Sequence, residues 1–240
     1  MTVTVEICVE DTPGALGAVA AGADRLEVCS DLSCGGLTPP AGLIEAALEA
    51  APPDGVQVLI RERAGDFVYS SAEIESMARS IEQMRARAGD ARLGFVVGAL
   101  TRGGSVDVRA AQRWREAAGD ARLTFHRAID AARDPHDAVE TVADLGFDLI
   151  LTTGGAPSVA DTQGLRAMQG IAGERLAILG SGGVRAANVA QVVSEAGLRE
   201  IHMRAPFSHR GDDAGGGRES STDRAEVARI VDTLQRAGLR

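Results

Sequence analysis

Two short segments of the chain carry the same pair of reactive side chains. Glu6-Ile7-Cys8 and Glu27-Val28-Cys29 both read Glu-x-Cys, and each ends an apolar, strand-like run. Successive side chains of a strand alternate between its two faces. Glu6 and Cys8 therefore share one face while Val5, Ile7 and Val9 share the other, and Arg25, Glu27 and Cys29 oppose Leu26 and Val28 in the same way. If the two strands are neighbours, two carboxylates and two thiols gather on one patch. Cys8 and Cys29 would then stand on strands about 4.8 Å apart, near enough for two sulfurs to share a soft ion such as Cu(I). Glu6 and Glu27 offer proton transfer at the same place. No pair of His and Cys residues has the spacing of a zinc site.

Further along, RERAGDFVYS begins with Arg61 and Arg63 on one face of a strand end, a fork suited to a carboxylate or phosphate. TFHRAID places His126, Arg127 and Asp130 together. His126 is the barrel-facing group there that can exchange a proton near neutral pH, and Asp130 is placed to orient it or to cap the following helix. GSGGVR, with Gly182, Gly183 and Arg185, is a glycine-rich turn whose backbone amides suit an anion. Glu200 and His202 share a face of the last strand-like run.

The elements that position these groups follow from the apolar period, which switches repeatedly between about 2 and about 3.6. Strands are expected near 3–9, 24–29, 56–61, 93–98, 121–126, 148–152, 176–180 and 199–203, and helices near 13–21, 41–50, 71–88, 106–118, 135–145, 158–171, 185–196 and 222–237. Eight alternating strand–helix repeats predict an α/β fold, a single-domain (β/α)8 TIM barrel over residues 1–240. One face of each strand is apolar and packs on helices. The other turns ionisable groups toward the barrel axis, which requires them to be paired or solvated. An internal network of Glu6, Glu27 and Glu200 against Arg25, Arg61 and Arg63 is one way to achieve this. The glycine-rich, charged stretch 210–223 reads as a variable loop before the last helix.

Composition narrows the function. A net charge of −9 excludes a general nucleic-acid or anionic-membrane binder, and no apolar run approaches the roughly 20 residues that span a bilayer. MTVTVEICVE does not read as a secretion signal, so the expected location is the cytoplasm. Cys8, Cys29 and Cys34 do not form a disulfide framework. All 25 basic residues are arginine, which removes Schiff-base and P-loop lysine chemistry. No nucleotide cofactor is implied.

The series LEVCS (26–30), GGLTP (35–39), IRERAGDF (60–67), TFHRAID (124–130), LTTGG (151–155) and GSGGVRAANV (180–189) resembles the CutC family, the copper-homeostasis proteins. The resemblance runs from Glu6 to His202 with the motifs in order at most strand ends. It implies a TIM barrel, a cytoplasmic location, a homo-oligomer (dimer or tetramer) and Cu(I) held by Cys8 and Cys29. The chain departs from the family pattern at Cys34, Pro40, Glu62 and Ala64, which stand where glutamate, serine, proline and glycine are usual, and again after His202.

Two functions fit these residues. One is a copper-binding protein using Cys8 and Cys29. The other is a barrel enzyme of proton-transfer, lyase or hydrolytic type on a small anionic or phosphorylated compound. In it Arg61, Arg63, Arg127, Gly182, Gly183 and Arg185 hold the anion, and Glu6, Glu27, His126, Asp130 and His202 are the candidate acids and bases.

Overall fold

The alternating apolar pattern becomes eight parallel strands: β1 (Thr4–Val9), β2 (Arg25–Val28), β3 (Val56–Leu59), β4 (Leu93–Val97), β5 (Leu123–Phe125), β6 (Leu149–Thr152), β7 (Ala177–Gly180) and β8 (Glu200–Met203). In this computed structural model, which describes residues 2–89, 92–207 and 221–240, the strands pair in chain order and β8 returns to β1, closing a barrel. Helices α1 (Thr12–Ala20), α2 (Ala41–Glu49), α3 (Ser71–Ala88), α4 (Val108–Ala118), α5 (Pro135–Asp144), α6 (Thr162–Ala172), α7 (Val189–Ala196) and α8 (Arg224–Arg236) follow the strands in turn. The chain is a (β/α)8 TIM barrel.

Local chemistry fixes where the helices begin. Asp11, Asp107, Asp134, Asp161 and Asp223 each accept backbone N–H groups from the first turn of α1, α4, α5, α6 and α8. Such a cap is worth about 1 kcal/mol. Ser70 and Glu73 form a reciprocal capping box on α3. These caps explain the later starts of α4 and α6 relative to the apolar period, which does not register an Asp one residue ahead of the helix. α7 also starts late, at Val189, because Asn188 Oδ1 accepts the Arg185 N–H at 2.7 Å and closes a turn first.

The outer strand faces are predominantly apolar. Val5, Ile7, Leu26, Val58, Phe95 and Ile150 are buried between sheet and helices, each side chain contributing roughly 1.5–3 kcal/mol. The axis is divided. Leu149, Leu151 and Leu179 fill the side beside β6 and β7, and Glu6, Arg25, Glu27, Gln57, Thr124, His126 and His202 are buried elsewhere in the barrel. The stretch 210–223 lies outside the described residues up to 220, and residues 221–223 lead into α8.

Candidate functional site

The two Glu-x-Cys repeats are not level with one another. In the β1–β2 register Glu6 stands beside Arg25 and Cys8 beside Glu27, a slip of two residues relative to the repeat. Strand tilt in a closed barrel imposes such a stagger. On the other side Glu6 stands beside His202 of β8.

This register builds a buried ionic chain. Arg25 donates from Nε to one oxygen of Glu6 and from Nη2 to Glu200 at 2.6 Å. The other Glu6 oxygen lies 2.7 Å from His202 Nδ1, and His202 Nε2 lies 3.7 Å from Glu27. Burial raises the Glu6 pKa, but Arg25 and His202 outweigh it and hold the carboxyl well below its usual range. Burial opposes a charge on His202, yet Glu27 and Glu6 overcome it and raise that pKa. Among the described residues no arginine pairs with Glu27, and burial lifts its carboxyl above the ordinary value.

One level up, the Cys8 and Cys29 sulfurs are 3.4 Å apart, and Cys29 Sγ donates to the Val9 carbonyl at 3.6 Å. Both thiols are free and buried. Its hydrogen bond with Cys29, its burial and the Glu27 carboxylate together push the Cys8 thiol well up. Ligand atoms of Cys8, Glu27 and His202 all lie within 4.8 Å of one another. Two thiols suit a soft ion, and the adjoining Glu27 carboxylate can take a proton that a thiol releases on binding it.

The thiols, Glu27 and His202 line a cavity of about 270 Å³ at the C-terminal strand ends, together with Leu59, Arg61, Phe67, His126 and Leu151. This is the end where barrels place their sites. A larger cavity of about 780 Å³ opens around the N-terminal ends of β3 and β4, between Asp54, Arg92 and Asp148, and carries no thiol or imidazole. Size does not locate the chemistry here.

Arg61 enters the smaller cavity with no carboxylate partner among the described residues. Nη1 donates to the Cys34 and Gly36 carbonyls, Nη2 donates to the Gly65 carbonyl, and the guanidinium lies over the Phe67 ring at 5.2 Å. His126 Nδ1 accepts the Ala128 N–H at 3.1 Å. Burial, reinforced by Arg61, lowers the His126 pKa to about 3. The imidazole is therefore neutral near pH 7, with its proton on Nε2. This differs from the expectation of a group that titrates near neutrality.

Other expected residues stand elsewhere. Arg63 follows the end of β3, where alternation no longer applies. It pairs with Glu73 and Asp66 over the Tyr69 ring, outside the cavity. The internal network thus uses Arg25 alone of the three arginines. Asp130 does not orient His126: it accepts from Thr152, from the Thr153 and Gly155 amides and from Arg127, tying down the turn after β6. It does not cap α5 either, because Asp134 does. Arg127 lines the cavity while holding Asp130 and the Pro157 carbonyl. Gly182, Gly183 and Arg185 lie outside the cavity lining. In that turn the Arg185 amide donates to Asn188 Oδ1, and the Ala186 amide already donates to the Glu226 carboxylate at 2.9 Å.

The CutC family pattern matches residues 3–206. The chain belongs to the CutC family. A CutC family protein of Caulobacter vibrioides is 40% identical over 201 residues, covering 83% of this chain and 80% of that protein. The copper homeostasis protein cutC homolog of Caenorhabditis elegans is 41% identical over 209 residues, covering 87% and 82%. A CutC crystal structure from Streptococcus agalactiae superimposes with a TM-score of 0.76 at 29% identity, covering 84% of this chain and 98% of that one.

Three contributors to this CutC site carry no reactive group and gave no sequence signal by type. Phe67 packs on both His126, at 4.9 Å between ring centres, and Arg61. Gly98 leaves room for the imidazole, since a Cβ there would lie 2.5 Å from its ring. Leu32 covers the thiols. Arg204 at the rim does carry charge, and pairs with Glu10 at 3.1 Å.

Proposed function

We propose that this chain is a copper-handling protein that takes Cu(I) as its cargo between Cys8 and Cys29. The observation that carries the reading is the pair of free, buried thiols at 3.4 Å in the barrel mouth. Soft thiolate sulfur selects Cu(I) over the hard ions that carboxylates prefer. The name of the Caenorhabditis elegans relative supports the same cargo.

Each thiol must lose its proton to bind the ion. Glu27, lifted toward its protonated form by burial, is the acceptor beside Cys8, and His202 extends the path at 3.7 Å. Glu6, itself held by Arg25, keeps His202 in place, and Glu27 and Glu6 balance its charge. No helix among the described residues is long and apolar enough to cross a membrane, and reduced thiols fit a cytoplasmic location. Assembly as a homo-oligomer belongs to the same reading through the family resemblance.

Anaerobic Cu(I) titration against a competing chelator tests the proposal. Wild type should hold one Cu(I) per chain, and Cys8→Ser/Cys29→Ser should lose it. Equal affinity of the double variant contradicts the assignment.

A further inference from the structure

The thiol pair leaves unused the nitrogen and oxygen donors gathered around Cys8. Ligand atoms of Cys8, Glu27 and His202 lie within 4.8 Å of one another, and all three residues line the cavity at the C-terminal strand ends. Cys8 stands level with Glu27 of β2, and β8 brings His202 from the other side of β1. Because the three come from separate strands, no short spacing in the chain displays them.

Their separations suit a shared ion. His202 Nε2 faces a Glu27 oxygen at 3.7 Å, too long for a hydrogen bond. On one tetrahedral zinc ion, bond lengths of about 2.3 Å to sulfur and about 2.0–2.1 Å to nitrogen or oxygen put two ligands about 3.3–3.6 Å apart. Against the 4.8 Å bound this asks for a closure of about 1 Å at most positions, which side-chain torsions supply.

The imidazole is already oriented for the task. Glu6, an ionised carboxylate held by Arg25, lies 2.7 Å from His202 Nδ1. It therefore accepts the Nδ1 proton, and in the neutral ring Nε2 turns its lone pair toward Cys8 and Glu27. A carboxylate behind a histidine fixes tautomer and ring direction in the same way at metal centres.

Donor type and charge select the ion. A thiolate, an imidazole and a carboxylate form a borderline set, whereas Cu(I) favours sulfur and hard ions favour oxygen throughout. Thiolate and carboxylate together carry two negative charges, so a divalent cation leaves the buried site neutral, which burial favours. Cys29 lies outside this group, and its sulfur donates to the Val9 carbonyl. Three protein ligands beside a cavity are the ligand count of a zinc site that keeps one position open.

We propose that the barrel mouth binds a divalent ion of the zinc type on Cys8 Sγ, the Glu27 carboxylate and His202 Nε2, with the fourth position open to the cavity. The site does not rest on copper being the cargo. Cys8 belongs to both sites, so the two ions exclude one another.

The test titrates the full chain, reduced, free of copper and in a Cys34→Ser background, with Co(II) under anaerobic conditions. One Co(II) per chain should produce a thiolate-to-cobalt charge-transfer band and the intense visible bands of a four-coordinate ion, and Zn(II) should bleach both. Cys29→Ser should keep these bands although it removes half of the copper pair. His202→Phe and Glu27→Gln should each weaken Co(II) binding by about tenfold or more. Glu27→Gln, nearly the same shape as the native residue, keeps the test decisive if His202→Phe does not fold. Absence of the thiolate band, loss of the bands in Cys29→Ser, or unchanged affinity in Glu27→Gln would each overturn the proposal. Copper takes no part in this titration, so such a failure leaves the Cu(I) assignment standing, and a failed Cu(I) titration leaves the cobalt result standing.

Discussion

Glu6 and Arg25 face one another across the β1–β2 register and are joined carboxylate to guanidinium inside the barrel. Arg25 also carries Glu200, so one cation serves two carboxylates and Glu6 is free to hold His202 with its second oxygen. The thiol site rests on this chain of charges.

Removing its only arginine should therefore be costly. Arg25→Met leaves Glu6 buried beside an uncompensated Glu200. We expect a loss of about 3–5 kcal/mol in urea unfolding, partly recovered in Glu6→Gln/Arg25→Met. A loss below about 1 kcal/mol would mean that water reaches the pair.

Stability should fall on the acid side in two stages. His126 has its folded pKa lowered to about 3 from 6.5, so the unfolded chain takes the proton first and stability drops as pH falls from 6.5 toward 3. Glu6 has its folded pKa lowered to about 2 from 4.5. Its contribution is present above 4.5 and is lost as pH falls toward 2. His202 has the opposite sign: its folded pKa is raised, so its contribution is complete below 6.5 and fades as pH rises through the folded value. Each group contributes a slope of at most about 1.4 kcal/mol per pH unit. Urea midpoints against pH should peak near neutrality, and His126→Phe should flatten the limb between pH 6.5 and 3.

The Cys8 thiol should report on Glu27. The carboxylate is one of the groups that raise the Cys8 pKa, so Glu27→Gln should move the pH profile of Cys8 alkylation to lower pH. A Cys34→Ser background removes the more accessible thiol. An unchanged profile would show that Cys29 and burial set the Cys8 pKa without Glu27.

Much of this site is legible in the chain, for a physical reason. Period-two alternation states which side of a strand a residue faces, and a strand buried on both faces leaves no ordinary place for Glu6, Arg25, Glu27 and His202. The eight-fold alternation of strand and helix likewise carries the barrel. Alternation does not state register. The slip that sets Cys8 beside Glu27, and Glu6 beside Arg25, comes from strand tilt in the closed barrel. It also stops where a strand stops: Arg61 and Arg63 both lie beyond the end of β3, and Arg61 enters the cavity while Arg63 turns outward to Glu73. Asp130 and the 182–185 turn show a third limit. Their types suit catalysis or anion binding, but Asp130 is spent on Thr152 and Thr153, and the Ala186 amide on Glu226.

Gly98 offers a check on His126. A Cβ would come within 2.5 Å of the imidazole, so Gly98→Ala must move the ring or the strand, at about 1–3 kcal/mol. Thermal unfolding should register that loss together with a changed His126 Nε2 resonance. A variant as stable as wild type with the same resonance would mean that the ring has space to yield.

The central claim is that Cys8 and Cys29 together hold Cu(I). Its most direct measurement is the anomalous difference map at the copper edge from a crystal loaded anaerobically with Cu(I). We expect one dominant peak bonded to both sulfurs at the barrel mouth. A peak on Cys34 or His136 with the Cys8–Cys29 pair empty would contradict the account.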